Sequence, residues 1–313
     1  NIKLLKSTIK RCKNHHITWH RLKYRNGFFG FGQLINILSL GFFPLKILIN
    51  RNIALVHIRS YMPGIFMPFL KNIFNFKLVF DMRGFWADEK HDRLNWSKKS
   101  FKFKFFKKLE RILINNSDYV VTLTHASKDI ICNNFMITSN TIKVIPTCVD
   151  FSEFRIIDRM AMPDSICIGY LGSVDTAYNF TRFCFLISQI KKNFAQSVKL
   201  KVLTNKTFEE VASMIPRNIL LELELEVKFV QREKLAKEIS SFDLLGFYLN
   251  KNFSINASMP TKIGECLACG VPIVCNPFNL DIKDLIKKNN IGLIYNFKDE
   301  ITNQQLKILS DLI

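Results

Sequence analysis

The chain has 313 residues, 48% hydrophobic and 12% aromatic, with eight cysteines and a formal net charge of +19. That length carries about two ordinary domains with real cores, which excludes a disordered chain. No heptad run and no repeat of about 20–50 residues is present, so coiled coils and solenoids are excluded too.

The chain opens on Asn1, and its first sixteen residues are too polar for the apolar core of a secretion signal. They read as an internal segment of a longer protein. Residues 26–45 carry no charge and approach the roughly 20 residues that a membrane span needs. Four glycines, Gln33, Asn36, Ser39 and Pro44 interrupt them, which favours a packed or interface-dipping helix over a span. Short apolar runs then follow at Ile53–Arg59, Phe76–Asp81, Tyr119–Thr124 and Ile142–Pro146. Near-continuous apolar runs are what strands covered on both faces require. Ser97–Asn116 has helical length, and within it Phe101–Leu113 interleaves Phe with Lys102, Lys104, Lys107 and Lys108. That pattern suits either a helix covering the sheet or a helix lying on an anionic bilayer.

Turn-like and polar residues from Val149 to Asp164 divide the chain at about residue 160, giving domains 1–160 and 161–313. Six more strand candidates follow: Ile166–Gly172, Val198–Thr204, Leu225–Val230, Asp243–Leu249, Pro272–Cys275 and Gly292–Tyr295. Helical stretches such as Tyr178–Lys192 lie between them. Alternating strands and helices predict an α/β protein of two Rossmann-like domains with parallel sheets, ligands sitting beyond the carboxyl ends of the strands. Charge divides unevenly. Residues 1–150 hold 25 Lys and Arg against 8 Asp and Glu, a net +17, and the remainder nets +2. The first half therefore reads as facing something anionic, against the alternative of plain compositional bias. No recognised nucleic-acid module accompanies the charge, so nucleic acid is not expected as a partner. Cys266 and Cys269 read as small buried residues on a helix rather than zinc or redox ligands, and unpaired cysteines fit a reducing cytoplasm.

The strongest chemical signal is Ser258-Met-Pro-Thr-Lys-Ile-Gly-Glu-Cys-Leu-Ala-Cys-Gly-Val-Pro. Ser258 or Met259 is expected to cap a helix of about ten residues with Pro260 in its first turn, ended by Gly270. A helix N-terminus offers free N–H groups and partial positive charge to a diphosphate. Lys262 in that first turn is electrostatically unfavourable unless an anion binds there. Glu265, one turn deeper, can accept two ribose hydroxyls. No Asp-x-Asp is present to hold a metal on a diphosphate, so metal use is not expected.

This stretch resembles the donor-binding signature of family-4 glycosyltransferases with the GT-B fold, two Rossmann-like domains facing across a cleft. Phe80-Asp-Met-Arg-Gly-Phe-Trp-Ala-Asp-Glu resembles a motif of one bacterial polysaccharide-biosynthesis subgroup, and His57-Ile-Arg-Ser-Tyr, Ile145-Pro-Thr-Cys-Val-Asp and Gly169-Tyr-Leu-Gly-Ser fit the same order. The resemblance implies a transferase moving a sugar from a nucleoside diphosphate to a hydroxyl of a surface glycan or lipid-linked acceptor, with the nucleotide-sugar as co-substrate and no separate cofactor. It implies donor contacts from Gly172, Ser173, Arg232, Pro260, Thr261, Lys262 and Glu265. Arg83 and Asp81 would join Lys262 at the reacting centre, Arg83 standing where many relatives have a histidine. His57, Arg59, Trp86, Asp88 and Glu89 would line the acceptor side.

Three departures accompany the resemblance. The Gly-rich loop that usually opens the first domain is not found, which reads as about sixty residues missing before Asn1. The first of two glutamates common in the donor motif falls on Ala257. After Gly172-Ser173, Asp175 and Tyr178 stand where a basic residue is common, with Arg182 further on. The competing expectations are a non-catalytic nucleotide-sugar binder and a nucleotide-sugar epimerase of the same fold. The location expected is cytoplasmic, peripheral at the inner face of the membrane.

Overall fold

The computed structural model describes residues 2–23, 25, 31–135, 137–157, 164–174 and 177–313. Its strands are β1 (Leu55–Arg59), β2 (Lys77–Asp81), β3 (Tyr119–Thr122), β4 (Ile142–Val144), β5 (Ser165–Leu171), β6 (Ser197–Leu203), β7 (Glu224–Lys228), β8 (Leu244–Phe247), β9 (Ile273–Cys275) and β10 (Gly292–Ile294). The helices of the first half are α1 (Ile2–Asn14), α2 (Phe31–Asn50), α3 (Met67–Phe74), α4 (Trp86–Leu94), α5 (Phe101–Asn116) and α6 (His125–Phe135). Those of the second are α7 (Phe180–Asn193), α8 (Phe208–Ala212), α9 (Arg217–Leu220), α10 (Arg232–Ile239), α11 (Thr261–Ala268), α12 (Leu280–Asn289) and α13 (Asn303–Leu312). All ten strands expected from the apolar runs form, shorter by one or two residues at about half of their ends and starting one residue earlier in β5, β6 and β7.

Two parallel sheets result, ordered β1-β2-β3-β4 and β10-β9-β8-β5-β6-β7. The second order is that of a doubly wound dinucleotide-binding sheet, whose direction reverses between β5 and β8. A crevice opens there beyond the carboxyl ends. Each sheet has its own core. Leu78, Phe80 and Val120 pack with Leu113 of α5 in the first, and Ile168, Leu200, Leu244 and Ile273 with Phe183 of α7 in the second.

The division near residue 160 lies outside the described residues, but packing around it is informative. Phe154 is buried in the second core, and Val149 rests on α11, 3.4 Å from where a Cβ on Gly264 would stand. The Thr147 hydroxyl donates to the Met259 carbonyl at 2.8 Å. Residues 147–156 therefore dock on the second domain.

Polar contacts hold the two sheets with their carboxyl edges facing. The Asp281 carboxylate accepts from the N–H groups of His125 (2.6 Å) and Ala126 (3.0 Å) at the start of α6. Asp92 accepts from Ser254 N–H at 3.0 Å, and the Thr124 hydroxyl donates to the Asn256 carbonyl at 2.6 Å. Ala257 is buried and packs into the core of the first domain. A glutamate at that position would drive a carboxylate into apolar surroundings, which gives a physical reason for the departure there.

α5 covers the sheet with one face and leaves a basic, aromatic face exposed. Phe103, Leu109, Leu113 and Ile114 face the core, while Phe101, Lys102, Lys104, Phe105 and Lys108 are exposed. Lys107 departs from the expectation of a solvent-facing basic patch. It turns inward and ion-pairs with the buried Asp88 (2.9 Å) and with the fully buried Glu110. Tyr61 Oη lies 2.7 Å from Glu110 Oε2 and 2.9 Å from the Gly84 carbonyl, tying this cluster to the turn after β2. Among the described residues no helix is long and apolar enough to cross a membrane; α2 contains Pro44 within its 20 residues.

Breaking a buried ion pair from one side leaves an uncompensated charge. Lys107→Met is therefore expected to destabilise by about 3–5 kcal/mol, measured by urea unfolding. A loss under about 1 kcal/mol, the worth of an exposed pair, would show that the cluster is solvated.

Candidate functional site

β5 ends in Leu171, and Gly172 follows at φ 101°, a left-handed conformation that favours glycine. Its N–H donates to the Leu203 carbonyl at 2.9 Å, and Tyr170 Oη donates to the Ser173 carbonyl at 2.7 Å. These bonds hold the loop open above the sheet. A Cβ on Gly172 would stand 3.7 Å from Lys262 Nζ. The Gly172 loop and the first turn of α11, ninety residues apart in sequence, thus meet at the switch point.

α11 begins at Thr261 with Pro260 as N-cap and no side-chain cap. The helix is eight residues long, and Pro260 stands one position earlier than a first-turn residue. No side chain occupies its opening N–H groups, of which a helix leaves four unpaired. Gly270 follows at φ 79°, as expected for the helix end.

Lys262 is buried, and its Nζ has no hydrogen-bond partner. Instead the ammonium faces three rings, with centroids at 3.9 Å (Tyr178), 5.1 Å (Tyr170) and 5.1 Å (Phe247). Ring faces stabilise a cation only in part. Burial pushes the Lys262 amine down to about 7, opposed by the neighbouring Cys266 and Glu265. Asp175 lies outside the described residues, and Arg182 is placed over the Tyr248 ring at 5.7 Å.

Glu265 is mostly buried on the next turn and accepts from Arg232 Nη1 at 3.2 Å. Arg232 also donates through Nε to Glu153 at 2.8 Å and stacks over Phe154 at 5.1 Å. The structure therefore brings Arg232 and Glu265 together from β7–α10 and α11. Beside them a cavity of about 570 Å³ runs between the ends of β5, β6 and β7, lined by Gly172, Ser173, Thr204, Phe229 and Val230. Thr204 Oγ1 is buried there without a partner.

Across the cleft, β1 and β2 are each followed within two residues by a left-handed residue, Ser60 (φ 68°) and Arg83 (φ 63°). A non-glycine residue held there costs energy, and such outliers cluster at functional sites. Arg83 pairs with neither Asp81 nor Asp88. Asp81 Oδ1 is buried without a partner, and Asp88 is engaged by Lys107. Glu89 Oε1 lies 2.5 Å from where a Cβ on Gly84 would stand, so the carboxylate sits directly against the Arg83 turn and a side chain at Gly84 would displace it. Burial raises the Glu89 carboxyl above its ordinary value, offset by the charges of Arg93 and Lys90. Arg59 ends β1 and is exposed; His57 is exposed in the middle of the same strand. Trp86 is turned from the cleft into a cluster with Trp96 and Phe106.

One residue that the sequence did not single out belongs here. Arg93 of α4 lies close enough to Tyr178 for its charge to offset the burial that pushes the phenol up to about 12. It thus reaches from the first domain toward the Lys262 cage of the second. Its place three turns of chain after the Arg83 motif carried no spacing signal. Among the described residues no group of three or more His, Cys, Asp or Glu is placed to hold a metal ion.

Residues 9–153 match the family model described as Glycosyltransferase Family 4. No curated protein matches the chain in sequence. Among solved structures, the chain is similar to a glycosyltransferase from Rickettsia africae, with TM-score 0.66 and 14% identity over 97% of this chain and 77% of that one. It is similar to sucrose-phosphate synthase from Thermosynechococcus elongatus, with TM-score 0.63 and 14% identity over 94% and 73%. The lipopolysaccharide outer core galactosyltransferase WaaB is also similar, with TM-score 0.62 and 12% identity over 90% and 72%. These likenesses carry the GT-B fold.

The Lys262 amine is lower in the folded chain than in the unfolded one, so folding loses stability as pH falls from about 10.5 toward about 7. Lys262→Met removes that cost. The variant is expected to melt higher than the parent, by roughly 2–4 °C per kcal/mol relieved. The gain should be largest below pH 7 and shrink toward pH 10. Scanning calorimetry across that range checks it, and a pH-independent difference would place the amine in solvent.

Proposed function

We propose that this chain, which has the GT-B fold and whose residues 9–153 match Glycosyltransferase Family 4, is a glycosyltransferase whose donor is a nucleoside-diphosphate sugar seated on α11. The observation carrying this is the buried Lys262 ammonium, unpartnered beneath the Gly172 loop and at an uncapped helix start. An ammonium there lacks only an anion, and a diphosphate would supply charge, acceptor oxygens and complementarity to the helix N-terminus. Glu265 would take the ribose hydroxyls, with Arg232 holding its carboxylate. The base would enter the cavity bounded by Thr204 and Val230, and Pro260, Thr261 and Ser173 would border the phosphates.

In the proposed reaction the bond between the sugar's anomeric carbon and the diphosphate breaks, and one forms to an acceptor oxygen that loses its proton. Lys262, the α11 N–H groups and Arg83 would stabilise the charge left on the diphosphate, where preorganised donors lower the barrier most. Arg83 stays protonated and serves as charge, not base. Asp81 and Glu89 would position Arg83 and the acceptor, with Arg59 and His57 further along the same face. Asp88 would act only through Lys107, and Trp86 through the wall it forms. Retention of anomeric configuration and independence from divalent metal belong to the same proposal. The acceptor would be a surface glycan or its lipid carrier. Exposed Lys102, Lys104 and Lys108 among Phe101 and Phe105 would hold the first domain on an anionic inner leaflet, each lysine contributing about 1 kcal/mol.

Lys262→Ala and Glu265→Ala are each expected to weaken nucleoside-diphosphate binding by about tenfold or more, the worth of one charge-assisted hydrogen bond. Calorimetry with UDP, GDP and ADP reads this, and unchanged affinity in both variants would sink the donor site. The bound phosphate should also protonate Lys262. At pH 8 the parent is expected to take up close to one proton on binding, seen as a heat that varies with buffer and is absent in Lys262→Ala.

Turnover is expected to survive a chelator with most of its rate. Abolition by chelator, restored by magnesium or manganese, would refute an electrostatic scheme built on Lys262 and α11.

A further inference from the structure

α4 carries two faces with different business. Asp92 and Arg93 look toward the second domain, through the bond to Ser254 and the charge near Tyr178. Trp86, Lys90 and Leu94, at the i, i+4 spacing of one helix face, look the other way. They line a separate cavity of about 770 Å³. Its far wall is α2, through Ile37 and Leu40. Its floor is Trp96 and Phe106, and Met62 and Trp86 close the end nearest the carboxyl edges of β1 and β2. Among the described residues, this wall is built rather than accidental. Asn36 accepts from Arg25 N–H and donates to the Arg25 carbonyl, both at 3.0 Å, and His20 meets Phe43 edge-on at 5.1 Å. These contacts lay the segment bearing Leu22 and Lys23 along α2.

The lining is apolar and aromatic, and the charges on it are of one sign. Lys23, Lys90 and Lys102 border the cavity, none in an ion pair among the described residues, and no described carboxylate lines it. The Lys90 ammonium rests over Trp86 at 5.2 Å. Leu22, Leu94 and Phe105 remain exposed at its mouth. A cavity this size falls in the range of about 300–1,000 Å³ that small-molecule sites occupy. Apolar walls with a cationic rim complement one chemistry: a long apolar chain ending in phosphate or diphosphate. Met62 follows β1 by three residues and Trp86 follows Arg83 by three, so this end of the cavity is the one nearest the carboxyl edges of β1 and β2 in the chain.

We infer that this cavity holds the apolar tail of a lipid phosphate acceptor, with Lys90, Lys102 and Lys23 around its phosphate. The inference rests on the transferase reading above; Lys102 and Phe105 border both this pocket and the proposed bilayer contact of α5, whereas Lys104 and Lys108 belong to the bilayer contact alone.

The test titrates the protein with farnesyl diphosphate, farnesol and inorganic diphosphate, following the fluorescence of Trp86 and Trp96, which line the cavity. Farnesyl diphosphate should perturb the signal saturably and bind at least tenfold more tightly than either half alone. Leu94→Asp puts a negative charge on the exposed rim, and Lys90→Gln removes a cation. Each should weaken farnesyl diphosphate at least fivefold while leaving cosedimentation with anionic vesicles unchanged, because Lys104 and Lys108 are untouched. Equal binding of inorganic diphosphate or farnesol, or wild-type affinity in both variants, overturns the pocket. A parallel fall in vesicle binding makes the face a general bilayer contact and overturns it too. Lys262→Ala should bind farnesyl diphosphate normally, so failure of the donor site and failure of this pocket are read separately.

Discussion

The cleft depends on how the two sheets are joined. Asp281 places one carboxylate on two N–H groups at the start of α6, so a residue of the second domain caps a helix of the first. Such a contact does two jobs at once: it satisfies orphan helix donors and favours the positive end of the helix dipole with a negative charge. Asp92, Thr124 and Thr147 repeat the pattern with Ser254, Asn256 and Met259. All three of those partners lie in the segment that leads into α11. The start of α11 is therefore held from the first-half chain through the segment that leads into it. The two cores share one cleft because these bonds set their orientation.

Much of this was legible in the sequence, and the reason is physical. Strands buried on both faces cannot hide their apolar runs, so all ten were placed. Gly172 and Gly270 stood out because turns with positive φ favour glycine. The donor helix was read from its proline and glycine, although Pro260 proved to be its cap rather than a first-turn residue, since a proline suits either place. The side of α5 that faces inward was harder to read. Phe residues fall all around that helix, so no apolar stripe marks the buried face, and Lys107 looked like its neighbours Lys104 and Lys108. Its partner Glu110, three residues on, was the available signal: together with Phe103, Leu113 and Ile114 it defines the inward face. Arg93 was invisible because its relation to Tyr178 exists only after the domains dock.

The same docking accounts for Ala257. In the sequence its position mattered only as a missing carboxylate. In the fold it is the point where the second domain inserts a small side chain into the core of the first. A small residue there lets Ser254 and Asn256, on the same short turn, reach Asp92 and Thr124. The residue that departs from the motif is thus part of what orients the motif. A methyl side chain cannot hydrogen-bond a ligand, so the Ala257 side chain contributes packing at this turn and no polar contact.

Unsatisfied groups argue for the same location. Buried polar atoms in folded proteins are nearly always paired, and each exception calls for an explanation. Among the described residues three side-chain atoms are buried without a partner: Asp81 Oδ1, Thr204 Oγ1 and Lys262 Nζ. Asp81 ends β2, Thr204 follows β6, and Lys262 opens the helix after β8, so all three stand at carboxyl edges of the two sheets. Three of the left-handed residues, Ser60, Arg83 and Gly172, stand at the same edges. Packing defects scattered by chance would fall anywhere in two cores of this size. Their gathering at the carboxyl edges of the two sheets, with a cation, an acid and a hydroxyl each lacking a counterpart, is what the proposed donor site draws on. In that proposal the diphosphate would supply the anion opposite Lys262.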